Sequence, residues 1–315
     1  MNYLSPIIEL TSLQSNKIFI LREDSIPFSF GGNKVRIANE YINDAISLNK
    51  DCIVGYGSML SNLCRILANA CYSRGLACHI IYTDKPCDSN SIPYNFNLVK
   101  CCNAKVHFLN KDNKISDNIK KILQIIIDDG YRPYYIYGNE FGEGNEAVPI
   151  NAYFKVYKQL YEYQKNKNLK FDYIFLATGT GMTQAGLIAG KNFWKGSEEI
   201  IGISVAREKK LAKIVIEKYL TAFNDRQLLT PPKAECINVI DKYICGGYGK
   251  TSYELLTFIK ELYMKYGLPT DSTYVGKAFW GMYNYILENK IQNKNILFLH
   301  TGGIPLFFDN IKMLI

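Results

Sequence analysis

Lys34 stands where a glycine-rich turn enters a helix, a position at which a lysine can do covalent chemistry. The stretch Phe30-Gly31-Gly32-Asn33-Lys34-Val35-Arg36 follows an apolar run, Lys17-Ile18-Phe19-Ile20-Leu21, that reads as a buried strand ending in Arg22-Glu23-Asp24. Behind it, Val35 to Leu48 has helical spacing, with Val35, Ile37, Ala38, Tyr41, Ile42 and Ala45 on one face. Two glycines let the backbone approach a ligand closely, and the free amides of a helix start attract an anion. A partly desolvated lysine there can lose its proton and form a Schiff base. An isolated lysine at a helix start is usually a solvated one, so the meaning of Lys34 depends on what recurs along the chain.

A second stretch with chemistry in it is Thr178-Gly179-Thr180-Gly181-Met182-Thr183-Gln184-Ala185-Gly186, which follows the strand Tyr173-Ile174-Phe175-Leu176-Ala177. Small residues and hydroxyls between a strand and a helix leave backbone amides free to wrap a phosphate, with the helix dipole behind them. Alone, the pattern is equally that of a tight turn. Gly179-x-Gly181 matches the first half of a dinucleotide fingerprint, but Gln184 takes the third glycine position. The next strand, Ile200 to Val205, ends at Ala206-Arg207 with no carboxylate for a ribose. A single phosphate monoester fits better than NAD.

Three further places end in polar residues and glycine. Cys52-Ile53-Val54-Gly55-Tyr56-Gly57 reads as a strand, and Ser58-Met59-Leu60-Ser61-Asn62 opens a helix with Leu63, Ile66, Leu67 and Ala70 on one side. The strand Ile296 to His300 ends in Thr301-Gly302-Gly303, where open α/β sheets place ligand groups. Between them lie Gly246-Gly247-Tyr248-Gly249-Lys250 and Asp271-Ser272-Thr273-Tyr274-Val275-Gly276-Lys277. In a chain with 24 tyrosines, ordinary packing is the bland alternative for Tyr248 and for Tyr274.

The elements that must position these residues alternate strand and helix from residue 51 onward. The spacing predicts strands at 77–82, 106–109 and 134–137, helices near 92–102 and over 115–127, and a loop over 84–97. This is a compact α/β unit of parallel strands joined by crossovers. The connection Gly138 to Gly144 leads back to the first lobe, through helices over 151–164 and near 252–265. A chain of 315 residues suits two α/β lobes. The expected division is a larger domain of residues 1–48 and 146–315 and a smaller one of residues 49–145.

Composition narrows the classes. With 48% hydrophobic and 21% charged residues this is an ordinary globular chain. The formal charge of +8 is scattered, with no basic run of the kind that nucleic-acid or membrane binding shows, and no apolar run of spanning length. The start, Met1 to Pro6, has no signal-peptide pattern, and the nine cysteines include no CxxC pair. Reduced thiols in a cytoplasmic protein are the expectation. The three histidines, His79, His107 and His300, are not at metal-ligand spacing, so no metal is expected.

Read in order, Gly-Gly-Asn-Lys, Gly-Ser-x-x-Ser-Asn, Ala-Thr-Gly-Thr-Gly-x-Thr-Gln-Ala-Gly, Gly-Tyr-Gly, Tyr-x-Gly-Lys-Ala and His-Thr-Gly-Gly resemble one family. It is the 1-aminocyclopropane-1-carboxylate deaminase and D-cysteine desulfhydrase family, pyridoxal-phosphate enzymes of the tryptophan-synthase β-like fold (fold type II). The resemblance runs from about residue 17 to 307. It implies an α/β fold of two domains, each an open, mostly parallel sheet flanked by helices. It implies pyridoxal 5′-phosphate as cofactor, a small amino acid as substrate, and a homodimer.

By that resemblance Lys34 carries the cofactor and then moves the α-proton of the substrate. Asn62 bonds the pyridine 3′-hydroxyl, and Ser61 with the amides of its helix receives the substrate carboxylate. Thr178, Gly179, Thr180, Gly181 and Thr183 form the phosphate loop, and Tyr248 and Tyr274 match two active-site tyrosines. Thr301 places a hydroxyl near the ring nitrogen, which suits β-elimination. Three positions depart from the pattern. Leu60 replaces a common glutamine, Leu63 a histidine or glutamine, and Val275 a glutamate or threonine. Val35 and Ile37 also break a more basic stretch. These departures argue against cyclopropane opening and leave the substrate, D-cysteine or another, open. Three readings follow: a lyase that eliminates a β-substituent to give a keto acid and ammonia, a β-replacement enzyme, and a non-catalytic binding protein.

Overall fold

The computed structural model describes residues 4–83, 92–109, 114–229 and 236–314. Strands β1 (Ile7–Leu13) and β2 (Asn16–Arg22) form a hairpin, and helix α1 (Asn33–Ser47) follows. Then come β3 (Cys52–Gly57), α2 (Asn62–Tyr72), β4 (Ala77–Tyr82), α3 (Tyr94–Cys101), β5 (Lys105–Phe108), α4 (Ile115–Asp128) and β6 (Pro133–Tyr135). The rest is α5 (Ile150–Asn166), β7 (Tyr173–Thr178), α6 (Met182–Trp194), β8 (Glu199–Ser204), α7 (Lys209–Gln227), β9 (Asn238–Ile240), α8 (Tyr253–Tyr266), α9 (Val275–Glu288), β10 (Asn295–His300), α10 (Ile304–Asp309) and α11 (Ile311–Leu314).

Two compact units divide the chain. One comprises the residues up to Asn33 and those from Ile150 onward; the other is Lys34–Pro149. The first holds a six-stranded sheet in the order β1-β2-β10-β7-β8-β9, parallel except for β1. Because β10 inserts between β2 and β7, the carboxyl ends of β2, β10, β7 and β8 lie along one edge, with His300 opposite Arg22 and Thr178 opposite Ser204. That edge gives rise to the Gly31 turn, the Thr301 turn, the 178–183 loop and the Arg207 turn. Its core packs Ile18, Ile20, Phe175, Ile201, Ile203, Phe279 and Phe298 between sheet and helices. Sequence periodicity missed β1. It is an edge strand with a register shift between Glu9 and Thr11, and its half-exposed residues break the alternation.

The second unit has four parallel strands in the order β5-β4-β3-β6. Its core gathers Cys52, Val54, Ile81, Leu109, Ile119, Ile126 and Tyr135. Helix α1 belongs to this unit from Lys34 on, whereas the sequence reading put the break after residue 48. Side chains explain why: Arg74 donates to Asn39 at 2.6 Å and Tyr134 to Asp44 at 2.8 Å, while the Tyr41 and Tyr134 rings meet at 6.5 Å. Val35 and Ile37 are buried, so apolar packing accounts for their departure from a basic pattern. Helix α3 starts inside the stretch read as a loop; residues 84–91 of that stretch lie outside the described residues.

Candidate active site

The six-stranded unit builds its loops by letting glycine backbones cross. Gly32 has φ +105°, and a Cβ there would sit 2.8 Å from the Thr301 carbonyl oxygen; a Cβ on Gly302 would sit 2.6 Å from the Gly32 Cα. Only glycine permits that approach. Asn33 is then held twice. Its backbone N–H donates to the Thr301 carbonyl at 3.1 Å, and its side-chain amide donates to the Thr183 hydroxyl at 2.9 Å. Lys34 is the next residue, half-buried in the first turn of α1. Desolvation lowers its pKa to about 8, so an appreciable fraction of the amine is unprotonated near neutral pH.

The 178–183 loop leaves β7 and enters α6 through Gly181, whose left-handed φ of +88° puts it against Ile216. No side chain caps this helix start. Among the described residues, the backbone N–H groups of Gly179, Thr180, Gly181 and Thr183 donate to no acceptor. Four outward amides at a helix start make an anion site. The Thr178 hydroxyl is turned elsewhere: it donates to Gln184 at 2.8 Å, and Gln184 in turn donates to the Asn238 carbonyl at 2.7 Å. A Cβ on Gly202 would collide with that Gln184 amide, which explains a glutamine where a dinucleotide fold carries glycine. Arg207, on the turn after β8, donates to the Gly179 carbonyl.

Tyr248 and Tyr274 share a hydroxyl–hydroxyl hydrogen bond, with their rings edge-on at 5.7 Å. Tyr274 is held by Asp271, whose buried carboxylate accepts from the N–H groups of Thr273, Tyr274 and Val275 at 2.9, 2.7 and 3.1 Å. Burial pushes the Asp271 pKa up to about 6, and these three amides hold it back from rising further. Asp271 also fills the space beside Gly303, where a Cβ would overlap its Oδ2. The Thr301 hydroxyl has no protein partner among the described residues. Its turn is fixed by His300, whose ring bonds the Pro269 carbonyl at 2.9 Å and accepts from the Gly302 N–H at 3.4 Å. Burial lowers the His300 pKa, which keeps the ring neutral.

In the four-stranded unit, Ser61 caps α2 by accepting from the Cys64 N–H at 3.2 Å. Asn62 accepts at its side-chain oxygen from Asn95 at 3.0 Å and more distantly from Arg65 at 3.4 Å. Asn95 also donates to the Leu60 carbonyl at 3.0 Å. The Asn62 NH2 group meets no acceptor among the described residues. Leu63 is buried, as is Val275, which belongs to the apolar core of the other unit. Of the three positions read as substrate-side and apolar, only Leu60 keeps partial exposure.

The family model for "Pyridoxal-phosphate dependent enzyme" matches residues 3–302. The chain belongs to this pyridoxal-phosphate-dependent enzyme family. A D-cysteine desulfhydrase of Serratia proteamaculans (strain 568) is 28% identical to it over 313 residues, 97% of this chain and 92% of the relative. A protein of Pyrococcus abyssi named as a putative 1-aminocyclopropane-1-carboxylate deaminase is 27% identical over 300 residues, 92% of this chain and 86% of its own length. A crystallised homologue of 1-aminocyclopropane-1-carboxylate deaminase superposes with a TM-score of 0.87 at 23% identity, over 99% of this chain and 93% of that one. A hydrogen-sulfide-producing enzyme from Fusobacterium nucleatum gives 0.65 at 19% identity, over 95% of each chain.

The enzyme's cofactor, pyridoxal 5′-phosphate, presents an aldehyde, a phosphate, a phenolic oxygen and a ring nitrogen, and each has a chemical complement in these residues. Within the six-stranded unit the uncapped start of α6 would suit the phosphate and the Thr301 hydroxyl the nitrogen; within the four-stranded unit the Lys34 amine would suit the aldehyde and the Asn62 NH2 group the phenolic oxygen. Sequence motifs contained all four. They missed Asn33 as the link between Lys34, Thr183 and Thr301, although it lies inside Gly-Gly-Asn-Lys. Asn95, which orients Asn62 from 33 residues away, left no signal in the sequence.

Proposed function

We propose that this enzyme is a lyase that removes a β-substituent from a small amino acid of D configuration, in the manner of a D-cysteine desulfhydrase. The observation that carries the reading is the double hold on Asn33, which ties the residue before Lys34 to Thr183 and to Thr301. Pyridoxal phosphate supplies an aldehyde that takes up the substrate amino group and a ring that stabilises negative charge at Cα.

The Lys34 Nζ, with its pKa lowered to about 8, takes the Cα proton. As the Cβ–X bond breaks, X leaves with the bonding electrons, and hydrolysis of the unsaturated product yields a keto acid and ammonia. The Ser61 hydroxyl can donate to the substrate carboxylate, since its lone pair already receives the Cys64 N–H. The Tyr248–Tyr274 pair can hand a proton to the departing group. Thr301 would offer the ring nitrogen a neutral hydroxyl and no carboxylate, which would suit elimination over cyclopropane opening. The names of the desulfhydrase relatives support the same reaction class.

Replacing Lys34 by Ala is expected to abolish both the absorbance of the cofactor-loaded protein at about 410–420 nm and keto-acid release from a panel of D- and L-amino acids. Retention of both would overturn the assignment of the lysine. An added thiol that appears in the product would move the reaction from elimination to replacement.

A further inference from the structure

Lys277 is fully buried on α9, and among the described residues no carboxylate forms an ion pair with it. Its ammonium donates to two backbone carbonyls, of Ile244 at 2.9 Å and of Gly247 at 3.0 Å. Asp271 and Cys245 add only longer-range attraction. A buried ammonium is costly to desolvate, and a methionine of similar length would pack there without that cost. What lysine adds is a set of donors aimed at one segment.

That segment is hard to hold by packing. Cys245, Gly246, Gly247 and Gly249 have φ of +52°, +80°, +129° and +70°, and a Cβ on Gly246 or Gly247 would meet nothing within 4 Å. Glycine serves the backbone path here, not a close approach. The segment's own turns are the Gly247 N–H to the Ile244 carbonyl at 3.1 Å and the Lys250 N–H to the Gly247 carbonyl at 3.2 Å. Lys277 grips the same two carbonyls. The next residue, Tyr248, meets the Tyr274 hydroxyl, and Tyr274 stands one helical turn before Lys277. One end of α9 thus holds the segment at two points, by an ammonium and by a phenol.

We propose that Lys277 is a positioning residue that sets Tyr248 against Tyr274 through the carbonyls of Ile244 and Gly247. Its bearing on turnover rests on the reading of the tyrosine pair given above; its hold on the segment does not.

The test uses the holoenzyme with Lys277→Met, Tyr248→Phe and the two combined. Hydrogen–deuterium exchange over residues 244–250 is expected to quicken at least about tenfold in Lys277→Met, while β7 and α6 stay unchanged. Turnover of a substrate that releases keto acid is expected to fall about 100-fold, a size typical of a misplaced group, with KM moving less than about threefold. In the Tyr248→Phe background the same replacement is expected to cost about twofold or less, because the two residues act as one unit. Lys277→Arg, which keeps donors, is expected to recover part of both effects. Unchanged exchange over 244–250, or an equal loss of turnover with and without the Tyr248 hydroxyl, would overturn the proposal. If Lys277→Met does not fold, Lys277→Leu carries the same comparisons. If no amino acid releases keto acid, the lyase reading fails while the exchange measurement still decides the role of Lys277.

Discussion

Helices α6 and α2 each begin just beyond a parallel strand, one in each unit, yet their first turns are finished differently. The start of α6 carries Gly181 and no capping side chain, and among the described residues the amides of Gly179 to Gly181 and of Thr183 meet no acceptor. The start of α2 carries Ser61, whose hydroxyl already takes the Cys64 N–H. An open start with several donors suits a phosphate dianion. A serine-capped start has fewer amides to give but keeps one hydroxyl proton, which suits a carboxylate. The contrast lies in one residue type, glycine against serine at the cap, and the proposed function assigns the first start to the cofactor and the second to the substrate.

Closing the open start should have the largest effect. Gly181→Ala places a Cβ 2.7 Å from Ile216 at a φ of +88°. Strain of about 1–3 kcal/mol should weaken retention of pyridoxal phosphate about tenfold or more, read as absorbance lost on dialysis. A variant that keeps its cofactor through dialysis would show that the amides do not grip the phosphate.

Acid should distinguish the units next. His79 of β4 stacks on His107 of β5, with ring nitrogens 3.0 Å apart. Burial first, then His107, lowers the His79 pKa to about 4. A folded-state value below the unfolded value of about 6.5 means stability present above that pH and lost as pH falls toward 4. The loss falls on the four-stranded unit. Asp271, raised to about 6, works the other way: its cost is present above pH 6 and relieved as pH falls toward 4. Corrected for the intrinsic exchange rate at each pH, amide protection from pH 7 to 4 should therefore fall in β4 and β5 before β7 and β10, and His79→Phe should flatten that fall. An unchanged pH slope in the variant would refute the assignment.

Opening the closed start is the mildest change. Ser61→Ala removes a cap worth about 1 kcal/mol and one donor to the substrate. KM should rise about tenfold with cofactor absorbance intact, measured by keto-acid release; a loss of cofactor instead would make α2 a second anchor.

Motif residues were legible because their chemistry is local. Lys34, Thr183 and Thr301 announce themselves as polar side chains within two residues of a glycine, and the open start of α6 follows from Gly181 alone. The supporting residues were not. Lys277, Arg207 and Asn95 act on backbone or amide groups far away in sequence, and no periodicity records a hydrogen bond across 33 residues; Asp271 takes amides only two to four residues on, but its burial is set by the fold. The apolar residues at 63 and 275 are both buried, and Val275 packs into a core, which periodicity alone does not show.

By itself the order of residues determined most of the buried strands, where glycine breaks them, and that an amine, a hydroxyl-lined helix start and a second hydroxyl turn recur on one chain. Only tertiary structure decided that Asn33, the helix start and the second hydroxyl turn meet, because β10 inserts between β2 and β7 and brings three strand ends to one edge. The reason is physical: hydrogen-bonded pairing sets neighbours by register rather than by distance along the chain, and only then can Asn33 reach Thr183 and Thr301 at once.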